Sequence, residues 1–179
     1  MNRKLLDDLR DLKLNIKEFR SISHQLSKKL ADDVRDEIEG DILLLPILRA
    51  GIALLPSFLE TFHEARVGFI GLERDDRTKT PRLYFQNIPE IKNCNVIILE
   101  PMIATGGTLT LTLEKLKEIG ADLSKVRIVN FISSEPGITR IQQNYPNVKI
   151  ISVATDPELD QNQSISPGLG DFGDRYFGN

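Results

Sequence analysis

Four stretches of the chain hold the residue types that chemistry on an anionic substrate needs. The first is Val96-Ile97-Ile98-Leu99-Glu100-Pro101-Met102-Ile103-Ala104-Thr105-Gly106-Gly107-Thr108, a β-prone run ending in a carboxylate, then a small-residue loop that feeds an amphipathic helix. Glycines let a backbone approach a ligand closely, and successive N–H groups with the hydroxyls of Thr105 and Thr108 can surround a phosphate. The helix N-terminus favours an anion by about 0.3–1 kcal/mol, more when partly buried. Glu100 stands where its two oxygens can accept hydrogen bonds from a sugar diol. No lysine follows the glycines, which excludes a Walker loop and the triphosphate hydrolysis that goes with it.

The second stretch, Leu45-Pro46-Ile47-Leu48-Arg49-Ala50-Gly51, again runs from a strand end into a helix. Arg49 is a bidentate phosphate donor by type. The third, Arg74-Asp75-Asp76-Arg77-Thr78-Lys79-Thr80-Pro81-Arg82, has four cations in nine residues and no apolar side chain. It reads either as a solvated hairpin loop or as a lid that brings cations over a polyanion and excludes water. The fourth, from Ser166-Pro167-Gly168-Leu169-Gly170-Asp171-Phe172-Gly173 to Gly178, formally matches a dinucleotide fingerprint. That match is false, because no helix and ribose-binding acid follow it. Such a loop can instead present bare N–H and C=O groups to the edge of a flat ligand.

Weaker signals fail on their own terms. Asp156-x-Glu158-x-Asp160 lacks the glycine and closing glutamate of a calcium loop. The sequon Asn162-Gln163-Ser164 is expected to go unused. His24 and His63 read as surface residues and Cys94 as a small core filler, and no Cys/His cluster has zinc spacing, so no protein-held metal is expected. One cysteine cannot form an internal disulfide, which with a charged start lacking an apolar signal core makes cytoplasm the expected location.

These stretches need a scaffold, and the hydropathy pattern describes one. Residues 1–40 read as helix, with Phe19, Ile22, Leu26, Leu30, Val34 and Ile38 on one stripe and Gly40 punctuating the end. From Asp41, five β-prone runs (42–45, 67–70, 96–99, 126–129 and 148–151) alternate with helical segments at 52–65, 108–119 and 136–144. This alternation predicts an α/β fold, a doubly wound and mostly parallel central sheet, with ligands at the carboxyl ends of its strands. With 179 residues the chain fits a single domain: a helical segment 1–40, an α/β core 41–155 and a loop-like segment 156–179. Phe172, Tyr176 and Phe177 predict that this last segment folds back onto the body. A net charge of −3 argues against a broad nucleic-acid surface, and no stretch approaches the ~18 apolar residues of a membrane span.

Taken in order, Pro46 to Gly51, Glu100 to Thr108 and Pro167 to Gly178 resemble the uracil phosphoribosyltransferases, which have the type I phosphoribosyltransferase fold; Lys17-Glu18-Phe19-Arg20 also looks like that family's N-terminal region. The family usually has Asp where Glu100 stands and Ser where Thr108 stands, and this chain is short between Arg20 and Pro46. The resemblance implies transfer of 5-phosphoribosyl from 5-phosphoribosyl 1-diphosphate (PRPP) to uracil, giving UMP. It implies that Glu100, Pro101, Met102, Ile103, Ala104, Thr105, Gly106, Gly107 and Thr108 bind PRPP, with Glu100 on the ribose hydroxyls and 105–108 on the 5′-phosphate. Arg49 and Ala50 would meet the pyrophosphate, and the peptide bond between them would be cis. Arg74 would be the lid cation and Asp171 would face PRPP, these two being the catalytic candidates. Ile165, Gly170, Asp171 and Phe172 would form the uracil pocket. The resemblance further implies Mg2+ bound mainly through PRPP, a homodimer or larger homo-oligomer, and in some relatives activation by GTP. A phosphoribosyltransferase for another base, and a pyrimidine-nucleotide-responsive regulatory protein without catalysis, remain open alternatives.

Overall fold

The computed structural model describes residues 2–75 and 80–179, the side chains of Asn2 and Arg74 excepted. The helical reading of 1–40 resolves into two helices, α1 (Asn2–Leu9) and α2 (Ile16–Arg35). A capping box divides them: the Asn15 side chain accepts from the Glu18 N–H, and Glu18 Oε2 accepts from the Asn15 N–H, both at 3.0 Å. Two donors that α2 would otherwise leave unsatisfied are thereby met, so the chain restarts its helix there instead of continuing one. Asn15→Ala should cost about 1 kcal/mol, seen as a lower midpoint in chemical unfolding; an unchanged midpoint would show that the cap contributes nothing.

The strands are β1 (Ile42–Leu48), β2 (Arg66–Val67), β3 (Phe69–Arg74), β4 (Pro81–Asn87), β5 (Asn95–Leu99), β6 (Met102–Ile103), β7 (Val126–Ser134) and β8 (Lys149–Asp156). They form one sheet in the order β4-β3-β1-β5-β7-β6, with β2 also on β1 and β8 also on β7. Every pairing is parallel except β3 with β4. The sequence reading missed β4, an edge strand whose apolar residues Leu83, Tyr84 and Phe85 are consecutive and only half-buried or exposed, so they show no alternating period.

The central strands read as unbroken apolar runs because both faces are covered. Leu44, Ile97, Leu99, Val129 and Phe131 pack with Phe19, Leu26 and Leu30 of α2. Leu43, Leu45, Val96, Ile98 and Ile128 pack on the other side with Leu109, Leu113 and Leu116 of α4 (Gly107–Glu118) and Ile141 of α5 (Glu135–Asn144). The predicted helix 52–65 is instead a 3-10 turn, Ala50–Ala53, then α3 (Leu55–Thr61), with Pro56 in the first turn where its missing N–H costs nothing.

The C-terminal segment is more ordered than loop-like. After the antiparallel pair β9 (Glu158–Leu159) and β10 (Ile165–Ser166) it ends in α6 (Phe172–Phe177), capped by Asp171, whose side chain accepts from the Asp174 N–H at 2.9 Å. It does fold back. The Phe172 ring lies 5.2 Å from that of Phe19 and 5.6 Å from those of Phe131 and Tyr176. The Tyr176 carbonyl accepts from Arg20 Nε at 2.8 Å. β1 has β3 on one side and β5 on the other, so the chain reverses its order across the sheet here, and a crevice opens beyond their carboxyl ends.

Candidate active site

A cleft of about 640 Å³ occupies that crevice. Glu100, Met102, Ile103, Ala104, Thr105, Gly106, Gly107 and Thr108 form one wall; Ile165, Gly170, Asp171 and Phe172 form the opposite one, with Ala50 also lining the cleft. Stretches more than fifty residues apart in sequence thus share one cavity. Arg10 and Leu12, from the break between α1 and α2, also line the cleft.

The 100–108 loop is held from below. Its Pro101 carbonyl accepts from the Phe131 N–H at 2.9 Å, and its Ala104 carbonyl accepts from Ser134 Oγ at 2.6 Å. Ser134 in turn caps α5, accepting from the Gly137 N–H at 2.9 Å, so one hydroxyl joins the loop to the start of a second helix. Gly106 caps α4 at φ +73°, a conformation that costs an L residue roughly 1–2 kcal/mol. That turn carries the chain into the first turn of α4, where the Gly107 N–H meets Thr105 Oγ1 at 3.4 Å. A Cβ placed on Gly107 would lie 3.6 Å from Thr105 Oγ1 and 3.8 Å from Arg140 Nη1. A hydroxyl, a helix N-terminus and a guanidinium therefore surround one small space, which suits a tetrahedral anion.

The opposite wall is rich in glycine, with Gly168, Gly170 and Gly173 among its lining residues. Asp160 Oδ1 accepts from the N–H groups of Asn162 and Ser164 at 2.8 and 2.9 Å, turning the chain into β10. The Ser166–Pro167 bond is cis and Gly168 has φ +61°. Asp156, only 6% exposed, receives the Arg10 guanidinium on both oxygens at 2.7 and 2.8 Å and the Gly168 N–H at 2.9 Å. Burial alone would raise the Asp156 carboxyl; the Arg10 hydrogen bonds and the Gly168 N–H outweigh it and hold it below the ordinary carboxylate value. The Arg10 guanidinium is raised in turn, chiefly by its hydrogen bonds to Asp156. Phe172 sends its ring into the aromatic cluster at 2% exposure, so what it offers the cleft is mainly backbone.

The uracil phosphoribosyltransferase family model matches residues 23–179. The chain belongs to that family. A uracil phosphoribosyltransferase of Mycoplasma mobile is 32% identical over 191 aligned positions, covering 95% of this chain and 91% of that one. Another, from Synechococcus elongatus, is 39% identical over 139 positions, covering 76% of this chain and 64% of that one, so the match spans just under two thirds of that relative. Among solved structures, the AQ2163 protein of Aquifex aeolicus superimposes with a TM-score of 0.91 at 28% identity, covering 98% of this chain and 93% of its own. A purine phosphoribosyltransferase of Pyrococcus horikoshii, at 19% identity and a TM-score of 0.54 over 64% of this chain and 74% of its own, shares the fold.

Against the expectations from family resemblance, three positions shift. The cis peptide bond is Leu48–Arg49, one bond before the expected place. Arg49 is not among the residues lining the cleft: its guanidinium lies 5.9 Å from the Phe177 ring and 4.0 Å from Asp174, with its side chain 63% exposed. Pro101 lies just beneath the lining. The Arg74 side chain and Arg77 and Lys79 of the expected lid lie outside the described residues, while Arg82 pairs with Glu73 at 2.9 Å. Among the described residues no group of three or more His, Cys, Asp or Glu could hold a metal, and no described helix is long and apolar enough to cross a membrane. Cys94 is buried and burial raises its thiol, which suits a filler.

Arg10, Ser134 and Arg140 were not foreseen. Ser134 could have been, since Ser134-Glu135-Pro136 is a readable helix start after a strand. Arg10 and Arg140 carry no local signal.

Proposed function

We propose that this protein transfers the 5-phosphoribosyl group of PRPP to N1 of uracil, releasing UMP and pyrophosphate. One observation carries the reading: an anion-shaped loop and a glycine-rich loop face each other across a single cleft of nucleotide size. In that reading the N–H groups and hydroxyls of 105–108 hold the 5′-phosphate, and Glu100 accepts from the ribose diol. The backbone of 170–172 reads the alternating acceptor–donor–acceptor edge of uracil. As the C1–O bond to pyrophosphate breaks, N1 forms its bond to C1 and its proton passes to the departing pyrophosphate or to solvent. The protein's part is to hold N1 in line with C1 and to stabilise charge on the leaving group, the role assigned to Arg74 and to Arg49 once it swings in from Phe177. Asp171, at the cleft and exposed, faces the ribose side.

Bound with PRPP, Mg2+ would supply charge neutralisation to the pyrophosphate. Of the carboxylates lining the cleft, Glu100 and Asp171 are the ones that would help hold it, most of its ligands coming from PRPP and water, while Asp160 Oδ1 is engaged by the backbone N–H groups of Asn162 and Ser164. Residues 1–179 act together as one unit in the cytoplasm, as a homodimer or larger, with GTP tested as an activator. Sedimentation and initial rates with and without GTP check those last points.

The deciding assay mixes the protein with PRPP, Mg2+ and each common nucleobase and follows pyrophosphate and nucleotide. UMP from uracil alone supports the reading. Turnover of another base replaces the substrate, and binding of UMP without turnover makes the protein a nucleotide-responsive regulator instead. Arg140→Ala should raise the KM for PRPP about tenfold or more with kcat little changed, because a phosphate contact distant from C1 is made equally in ground and transition states. An unchanged KM would remove Arg140 from the phosphate site.

A further inference from the structure

Arg10 stands in the break between α1 and α2, 146 residues from its carboxylate partner, and its side chain is 22% exposed. Its Nη1 donates to Asp156 Oδ2 at 2.8 Å and to the Gly168 carbonyl at 2.5 Å; its Nη2 donates to Asp156 Oδ1 at 2.7 Å. Asp156 Oδ2 accepts the Gly168 N–H. Both polar groups of Gly168 are thereby committed to one part-buried ion pair. The next residue is fixed the same way: Arg175 Nη1 donates to the Leu169 carbonyl and to the Leu9 carbonyl, each at 2.6 Å, and its Nη2 donates to the Asp11 carbonyl at 2.6 Å. The Leu12 side chain lies 3.5 Å from where a Cβ on Gly170 would sit. Residues 9–12 thus grip the loop at 168 and 169 and touch it at 170. None of these contacts involves the 100–108 loop.

From this we infer that Arg10 is a positioning residue for base recognition: through Asp156 and Gly168 it sets the backbone of 170–172 that faces the base, while the PRPP half of the cleft does not depend on it. A backbone that reads a heterocycle must be held to a few tenths of an ångström, and it has no side chains of its own with which to adjust. The planar fork of an arginine matches two carboxylate oxygens and a carbonyl together, a geometry that the tetrahedral donors of a lysine ammonium do not reproduce.

The inference rests on the proposed uracil activity, and the test separates the two. Arg10→Ala and Arg10→Lys are compared with wild type for the KM of each substrate, for calorimetric binding of Mg–PRPP without uracil, and for thermal unfolding. In Arg10→Ala the KM for uracil should rise about tenfold or more, with PRPP affinity within about twofold of wild type. Arg10→Lys, which keeps the charge without the fork, should fall between, and it supplies the result if Arg10→Ala does not fold. Equal losses for both substrates, or a lower melting temperature with the uracil KM unmoved, overturn the inference and leave the proposed function standing. A wild-type protein that does not convert uracil overturns both.

Discussion

Gly107→Ala should unfold no earlier than wild type and yet bind PRPP about a hundredfold more weakly. The methyl group would meet only ordinary van der Waals neighbours, at 3.6 Å from Thr105 Oγ1 and 3.8 Å from Arg140 Nη1 and Pro81 Cδ. Alanine is also the better residue at the start of α4, by up to about 1 kcal/mol, so stability holds or rises. The same methyl projects into the space shared by the hydroxyl and the guanidinium, where the 5′-phosphate sits in the proposed complex. Loss of two charge-assisted hydrogen bonds at about 1.5–3 kcal/mol each would weaken binding by at least two orders of magnitude, less whatever the phosphate regains by shifting. Calorimetry with Mg–PRPP and a thermal melt check both signs. Unchanged affinity would move the phosphate elsewhere; a lower melting temperature would mean that the loop had collapsed.

Gly168→Ala should do the converse, sparing PRPP and losing the base. Here a Cβ would fall 2.1 Å from the Ile165 carbonyl oxygen, at φ +61°. That oxygen belongs to the backbone, so no side chain can rotate away, and the loop itself must move. The αL penalty alone is roughly 1–2 kcal/mol. Displacing the loop also breaks the paired hydrogen bonds of Gly168 to Arg10 and Asp156. The kcat/KM for uracil is expected to fall about a hundredfold, with PRPP affinity within about twofold of wild type. Full activity in this variant would show that the 168–172 backbone takes no part in reading the base.

Arg10→Ala and Gly168→Ala attack one device from its two ends, so their effects on uracil should not add. Residues that share a hydrogen-bond network couple, and the double variant should resemble the worse single one.

Much of this architecture was legible from residues 41–155. Apolar runs covered on both faces mark buried parallel strands, and Leu99-Glu100 followed by Thr105-Gly106-Gly107-Thr108 marks a strand, an anion loop and a helix start, all within thirteen residues. The aromatic docking of the last segment was legible too, since Phe172 and Tyr176 had to find an apolar surface. The Asn15 capping box was written in the sequence, but the longer apolar stripe of 19–38 obscured it. β4 was illegible, because an edge strand with exposed side chains keeps no apolar period.

What the sequence determined by itself is what short-range physics encodes: the periodicity of burial, the caps, and a phosphate loop whose donors are neighbours along the chain. What only the tertiary structure decided is which distant groups meet. Arg10 is an ordinary charged residue at the end of a short helix until Asp156 and Gly168 arrive beside it, and Arg49 reads as a cleft residue until Phe177 and Asp174 draw it aside. A guanidinium reaches partners in any direction, so its type predicts what it will bind and leaves open where. That choice belongs to the packing of α1, α2 and α6 against the sheet.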